Sequence, residues 1–191
     1  SDDLHTKVIT TNFNPKAKCP NFDKFIKEVF GSDGELISWI QRAFGYSLTG
    51  SAQEQVLFIC YGTGANGKST LLETISKILS DYSTNADFEM FLSNQKSDVR
   101  VMEAVGELKG IRLALASEVD ASKRFNESLV KRLTGGDTLR GTKLHMGAFQ
   151  FEPQHKLWFL CNHIPFARDG SPGFWRRIKV IPFDQQFQGS S

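Results

Sequence analysis

Eight consecutive residues, Gly62-Thr63-Gly64-Ala65-Asn66-Gly67-Lys68-Ser69, carry the clearest chemistry in this 191-residue chain. Glycines at this spacing let the backbone turn tightly enough for several N–H groups to face one phosphate. Lys68 has the reach for β- and γ-phosphates, and the Ser69 hydroxyl can ligate Mg²⁺. A match at every fixed position of G-x-x-x-x-G-K-[ST] arises by chance in roughly 1% of chains of this length. The apolar run Val56-Leu57-Phe58-Ile59-Cys60 precedes the glycines, and helical periodicity over 68–79 follows them. Strand, loop and helix is the context such a loop requires.

Phosphate chemistry of this kind also needs a carboxylate at the end of a neighbouring strand. Ile111-Arg112-Leu113-Ala114-Leu115-Ala116 reads as a buried strand, with Glu118 just beyond it and Asp120 further out. Asn162 ends a third apolar strand, Leu157-Trp158-Phe159-Leu160-Cys161, where an amide can orient a water. Alone it would be an ordinary turn residue. Arg176 and Arg177 precede a fourth strand and can stabilise transition-state charge or bind phosphate. Cys19, Cys60 and Cys161 lie far apart with no CxxC, against a zinc ribbon or disulfide framework. His5 and His155 have no partners at metal-ligand spacing.

These residues need a frame. Strands alternating with helices predict an α/β domain with a mainly parallel sheet. Ahead of it, periodicity predicts helices over 22–30, capped by Asn21 and stopped by Gly31, and over about 33–44, then a loop over 45–51. Further helices are expected over 98–108 and 126–133. A hairpin is expected over 138–151, with Gly141 and Gly147 bracketing its tip and Phe149 and Phe151 anchoring its base. Residues 1–50 read as a helical lead and 51–191 as the core.

Composition agrees. The chain is 40% hydrophobic and 23% charged, which excludes global disorder. The longest apolar run is too short to span a bilayer and the first residues are polar, so a cytoplasmic protein is expected. Net charge is only +2, but between Asp120 and Lys179 eleven Lys/Arg face five acids, leaving the remainder at −4. That asymmetry suits an anionic partner.

The motifs, in this order and at these distances, resemble the ATPase domain of superfamily 3 helicases within the AAA+ class of P-loop NTPases. The resemblance is to the phage- and plasmid-type primase-helicase family also seen in poxviruses. It rests on Leu115-Ala116-Ser117-Glu118, Leu129-Val130-Lys131-Arg132-Leu133-Thr134-Gly135-Gly136-Asp137, Lys156-Leu157-Trp158-Phe159-Leu160-Cys161-Asn162-His163 and Phe174-Trp175-Arg176-Arg177-Ile178, with QRAFGYSLT at 41–49 as a lead-in.

The resemblance implies an ATP- and Mg²⁺-dependent DNA helicase motor with helices on both faces of its sheet. Residues 62–69 correspond to Walker A, and nucleotide contacts are expected from Gly62 through Ser69 and from Thr70. Glu118 corresponds to the Walker B acid and Asn162 to the sensor asparagine. Arg177 or its neighbour Arg176 corresponds to an arginine finger acting on the next subunit. The hairpin would project into a central channel and hold single-stranded DNA through Arg140, Lys143 and His145. The family pattern implies a ring, a hexamer in the full-length protein, and a C-terminal region beyond this stretch. Many members carry two adjacent acids at Walker B, whereas Ser117 precedes Glu118, which leaves Asp120 open as a helper. A P-loop kinase with 123–145 as its lid and a DNA-binding module with a degenerate ATPase are the alternatives. No Asn-Lys-x-Asp string supports a GTPase.

Overall fold

The computed structural model describes residues 7–93, 98–117, 124–143, 147–168 and 171–187. Helices α1 (Pro20–Val29) and α2 (Gly34–Leu48) lead into β1 (Leu57–Tyr61), α3 (Lys68–Leu79) and the short β2 (Ser83–Asn85). Then come α4 (Asp98–Glu107), β3 (Leu113–Ser117), α5 (Glu127–Thr134), β4 (Leu139–Lys143) and β5 (Gly147–Phe151). The chain continues into β6 (Lys156–Cys161), the one-turn α6 (Pro172–Trp175) and β7 (Ile178–Pro182).

Five strands pair in the order β2-β3-β6-β1-β7, every neighbour parallel. The helices and the β4–β5 hairpin form the crossovers that parallel neighbours demand. Side chains alternate along β1. Leu57 and Ile59 join Val105, Leu129, Val130, Leu139 and Phe151 on the face covered by α4, α5 and the hairpin. Phe58 and Cys60 join Ile26, Val29, Ile40, Leu71 and Leu72 on the face covered by α1, α2 and α3. Burial on both faces is why β1 is an unbroken apolar run. The expected parallel sheet with helices on both sides is therefore present.

Several element boundaries differ from expectation. Helix α1 begins at Pro20 after Cys19, so Asn21 lies inside it and caps nothing. Proline suits a first helical turn, where its missing N–H removes no helical hydrogen bond. Helix α2 runs straight through Gly45 to Leu48, where a loop was expected. A mid-helix glycine is unfavourable by about 1 kcal/mol, but tertiary contacts hold the last turn. The Ser47 hydroxyl donates to the Ala43 carbonyl (2.9 Å) and accepts from the Trp158 indole (3.0 Å). Trp158 itself is stacked between Phe44 (4.5 Å) and Phe58 (4.2 Å). The helix's own last turn has no basic residue. Instead Arg112 donates to the Leu48 carbonyl and Lys156 to the Thr49 carbonyl, cations where the helix end is negative.

The hairpin forms with Leu139 opposite Phe151 and Lys143 opposite Gly147. Phe151 is buried and Phe149 packs against the same core, as expected. Gly141 has a different role from the turn role expected. It sits in mid-strand, where an added Cβ would lie 2.5 Å from the Gly106 Cα of α4. A Cβ on Gly106 would lie 2.2 Å from the Thr142 carbonyl oxygen. Helix and hairpin backbones touch there.

His155 enters β6 only 4% exposed. Burial pushes its imidazole down to about pKa 4, and the neighbouring Lys156 ammonium adds to the effect. The unfolded side chain titrates near 6.5, so between pH 6.5 and 4 the unfolded state binds the extra proton and stability falls as pH drops. From this residue we expect a loss on the order of 2 kcal/mol between pH 7 and pH 5. Denaturant titrations at both values should show that loss in the wild type and not in His155→Leu. An identical loss in both would contradict the assignment.

Candidate functional site

The loop at 62–67 leaves the C-terminal end of β1, the edge of an open parallel sheet where ligands bind. Its backbone is left-handed at Gly64 (φ +105°), Ala65 (+47°) and Gly67 (+83°). A Cβ on Gly62 would stand 2.3 Å from Asn66 Nδ2 and 2.5 Å from the Phe183 carbonyl oxygen. One on Gly67 would stand 2.8 Å from Val29 Cγ2 and 3.3 Å from the Phe25 ring. Gly62 is thus required by close packing, Gly64 by conformation and Gly67 by both.

Lys68 opens α3 and is 6% exposed. Its ammonium donates to the Gly62 carbonyl, to Asn66 Oδ1 (3.1 Å) and to Asn162 Oδ1 (3.4 Å). Burial lowers its pKa from the usual lysine value. Cys60 and Cys161, at the ends of adjacent strands, are wholly buried, and burial pushes the Cys60 thiol up. Helix α3 has no side-chain cap and no acid in its first turn. Its leading N–H groups and dipole therefore suit an anion, with the exposed Ser69 and Thr70 beside them.

Of the residues singled out in the sequence, the structure brings Lys68 and Asn162 together across neighbouring strands β1 and β6. Strand β3 lies beside β6, Ser117 in register with Leu160, so the chain reaches the same edge there. Glu118 and Asp120 fall outside the described residues, as do Lys123, Leu144, His145 and Met146. Arg140 and Lys143 are exposed on β4.

Arg176 and Arg177 are not brought to Lys68. Ile178 pairs with Leu57, which puts both arginines at the opposite edge, about 15 Å away by the length of β1. There both donate to Gln55 Oε1 (2.5 and 3.1 Å), and Arg177 also donates to the Gly173 carbonyl. Burial, with Arg176 alongside, lowers the Arg177 pKa from its ordinary value.

Sequence reading missed what Asn66 does. Its Nδ2 donates to the Phe183 carbonyl (3.1 Å) while its Oδ1 faces Lys68. The partner lies 117 positions away, and no local pattern announces it. Among the described residues no cluster of His, Cys, Asp and Glu could hold a metal, and no helix is long and apolar enough to cross a membrane.

A family model described as a family of unknown function, DUF5906, matches residues 60–177. A protein of Acanthamoeba polyphaga mimivirus named "Putative helicase" is 32% identical over 87% of this chain. One of the same name from Invertebrate iridescent virus 6 is 30% identical over 96%. The chain spans only 17% and 19% of those proteins' lengths. Among solved structures, an apo form of the NrS-1 C-terminal region superposes with a TM-score of 0.69 at 18% identity. That match covers 89% of this chain and 39% of the other.

Gly67 offers a test of the packing that shapes the loop. Gly67→Ala meets both a left-handed backbone and the α1 side chains, and should lower stability by about 1–3 kcal/mol. A denaturant midpoint unchanged from wild type would show that α1 does not press on the loop.

Proposed function

The chain belongs to the DUF5906 family, and with the geometry above we propose that it is the ATP-hydrolysing motor of a DNA helicase serving replication. The observation that carries this reading is the buried Lys68 ammonium, shared by the glycine loop and by Asn162 at the end of the adjacent strand. The names of the viral relatives point the same way.

In this reading the loop N–H groups and the α3 N-terminus bind the phosphates of ATP, and Lys68 neutralises charge at the β- and γ-oxygens. ATP would supply the transferable phosphoryl group and Mg²⁺ would offset its charge. Ser69 would ligate the metal. Glu118 would share that ligand role and take the proton of the attacking water. Asn162 orients that water. Arg176 and Arg177, remote from their own loop, serve the site of a neighbouring copy in a ring of superfamily 3 type. The β4–β5 hairpin, with Arg140, Lys143 and His145, holds single-stranded DNA in the channel. A kinase lid over 123–145 fits less well, because 127–134 and 139–143 form α5 and β4 on the sheet face opposite α1–α3.

ATP turnover with and without single-stranded DNA tests the whole reading. Lys68→Ala should abolish turnover. Glu118→Gln should bind nucleotide but hydrolyse it slower by orders of magnitude, since it keeps shape and loses the base. Wild-type rates in Glu118→Gln would remove the carboxylate assignment.

The hairpin is tested separately by salt. Lys143→Ala should weaken DNA binding and flatten the plot of log affinity against log salt by about 0.7, leaving basal hydrolysis intact. Unchanged affinity and slope would move the DNA track elsewhere.

A further inference from the structure

After β7 the chain stays at the loop. The Phe183 N–H donates to the Tyr61 carbonyl (2.8 Å), and the Phe183 carbonyl accepts from Asn66 Nδ2 (3.1 Å). Phe183 is 2% exposed and set edge-on to Phe30 at 5.0 Å, so this anchor is fixed. Three residues on, Gln186 Nε2 donates to Thr63 Oγ1 (3.2 Å). The Phe187 N–H then donates to the Ala65 carbonyl (2.7 Å). Gln185 serves the other side, with its amide nitrogen 3.3 Å from where a side chain on Gly31 would begin.

Residues 183–187 therefore hold the phosphate loop at Thr63, Ala65 and Asn66. We propose that this segment is a positioning element of the nucleotide site. Ala65 has a left-handed backbone (φ +47°), a conformation unfavourable for a residue with a Cβ. The Phe187 N–H fixes the carbonyl of that residue. Asn66 has one amide and two partners. With Nδ2 committed to Phe183, its oxygen must face Lys68, so the segment also sets where the ammonium sits. Without the segment the loop relaxes, and nucleotide binding must reorder it, which weakens affinity.

The inference rests on the nucleotide reading and is tested by calorimetry with Mg·ADP, alongside melting temperatures without nucleotide. Phe187→Pro removes the N–H that donates to the Ala65 carbonyl and leaves every residue of the loop itself unchanged. One net hydrogen bond corresponds to about fivefold in affinity, and that loss is expected. Gln186→Ala should lose about twofold, and Gln185→Ala, which does not reach the loop, nothing. Melting temperatures should agree with wild type within about 3 °C.

Wild-type affinity in Phe187→Pro overturns the proposal. So does an affinity that falls in step with melting temperature across all three variants. If Phe187→Pro does not fold, Gln186→Ala against Gln185→Ala decides, equal affinities overturning it. A wild-type chain that binds no Mg·ADP overturns the nucleotide reading itself, and this one with it.

Discussion

Burying an ammonium group is the constraint around which this molecule is arranged. A lysine removed from water must find acceptors, or it is strongly destabilising. Lys68 finds three: a carbonyl at the start of its own loop, an amide within the loop and an amide on the neighbouring strand. The first requires the loop to fold back on itself, which only the left-handed positions allow. The second requires Asn66 to be oriented from outside, which Phe183 does. The third requires β6 beside β1, which fixes the centre of the sheet. Each feature of the site follows from satisfying one charge.

A second buried cation organises the opposite end of the strands. Lys156 is 2% exposed and donates to the Thr49 and Gln154 carbonyls, with its ammonium 4.6 Å from the Tyr46 ring centre. Burial, with Arg112 nearby, brings its pKa down to about 8. Arg112 lies over Tyr82 at 4.6 Å and reaches the same helix end. The two ends of β6 thus hold different things by the same means. Its start holds the lead helices in place and its finish meets the glycine loop.

The frame was legible because its signals are local. Helix α3 runs over 68–79 as its periodicity implied, and Asn126 caps α5 by accepting from the Leu129 N–H (3.1 Å). Strand β2 was not legible. Ser83-Thr84-Asn85 is short, polar and at the sheet edge, and it pairs only because β3 offers it a partner. The end of α2 escaped too, since Trp158 and Lys156, more than a hundred positions on, decide it. At the site, the place of the loop between β1 and α3 was readable from type and spacing, and that of Asn162 at the end of β6 from the apolar run before it. The edge on which Arg176 and Arg177 stand was not, because it depends on the direction of β7 relative to β1.

The strand order has a consequence for synthesis. Strand β1 pairs with β6 and β7, so it is made early and both of its neighbours late. Ninety-five positions separate Tyr61 from Lys156, about 5 to 20 s of translation. For that interval the most apolar strand has both edges open, the condition under which nascent chains aggregate. The loop that follows β1 likewise lacks Asn162 and Phe183 until β6 and β7 have emerged. A nascent chain of this protein therefore acquires its sheet and its site together, once β6 and β7 have emerged. Ribosome stalling between β1 and β6 would yield a product needing chaperone protection.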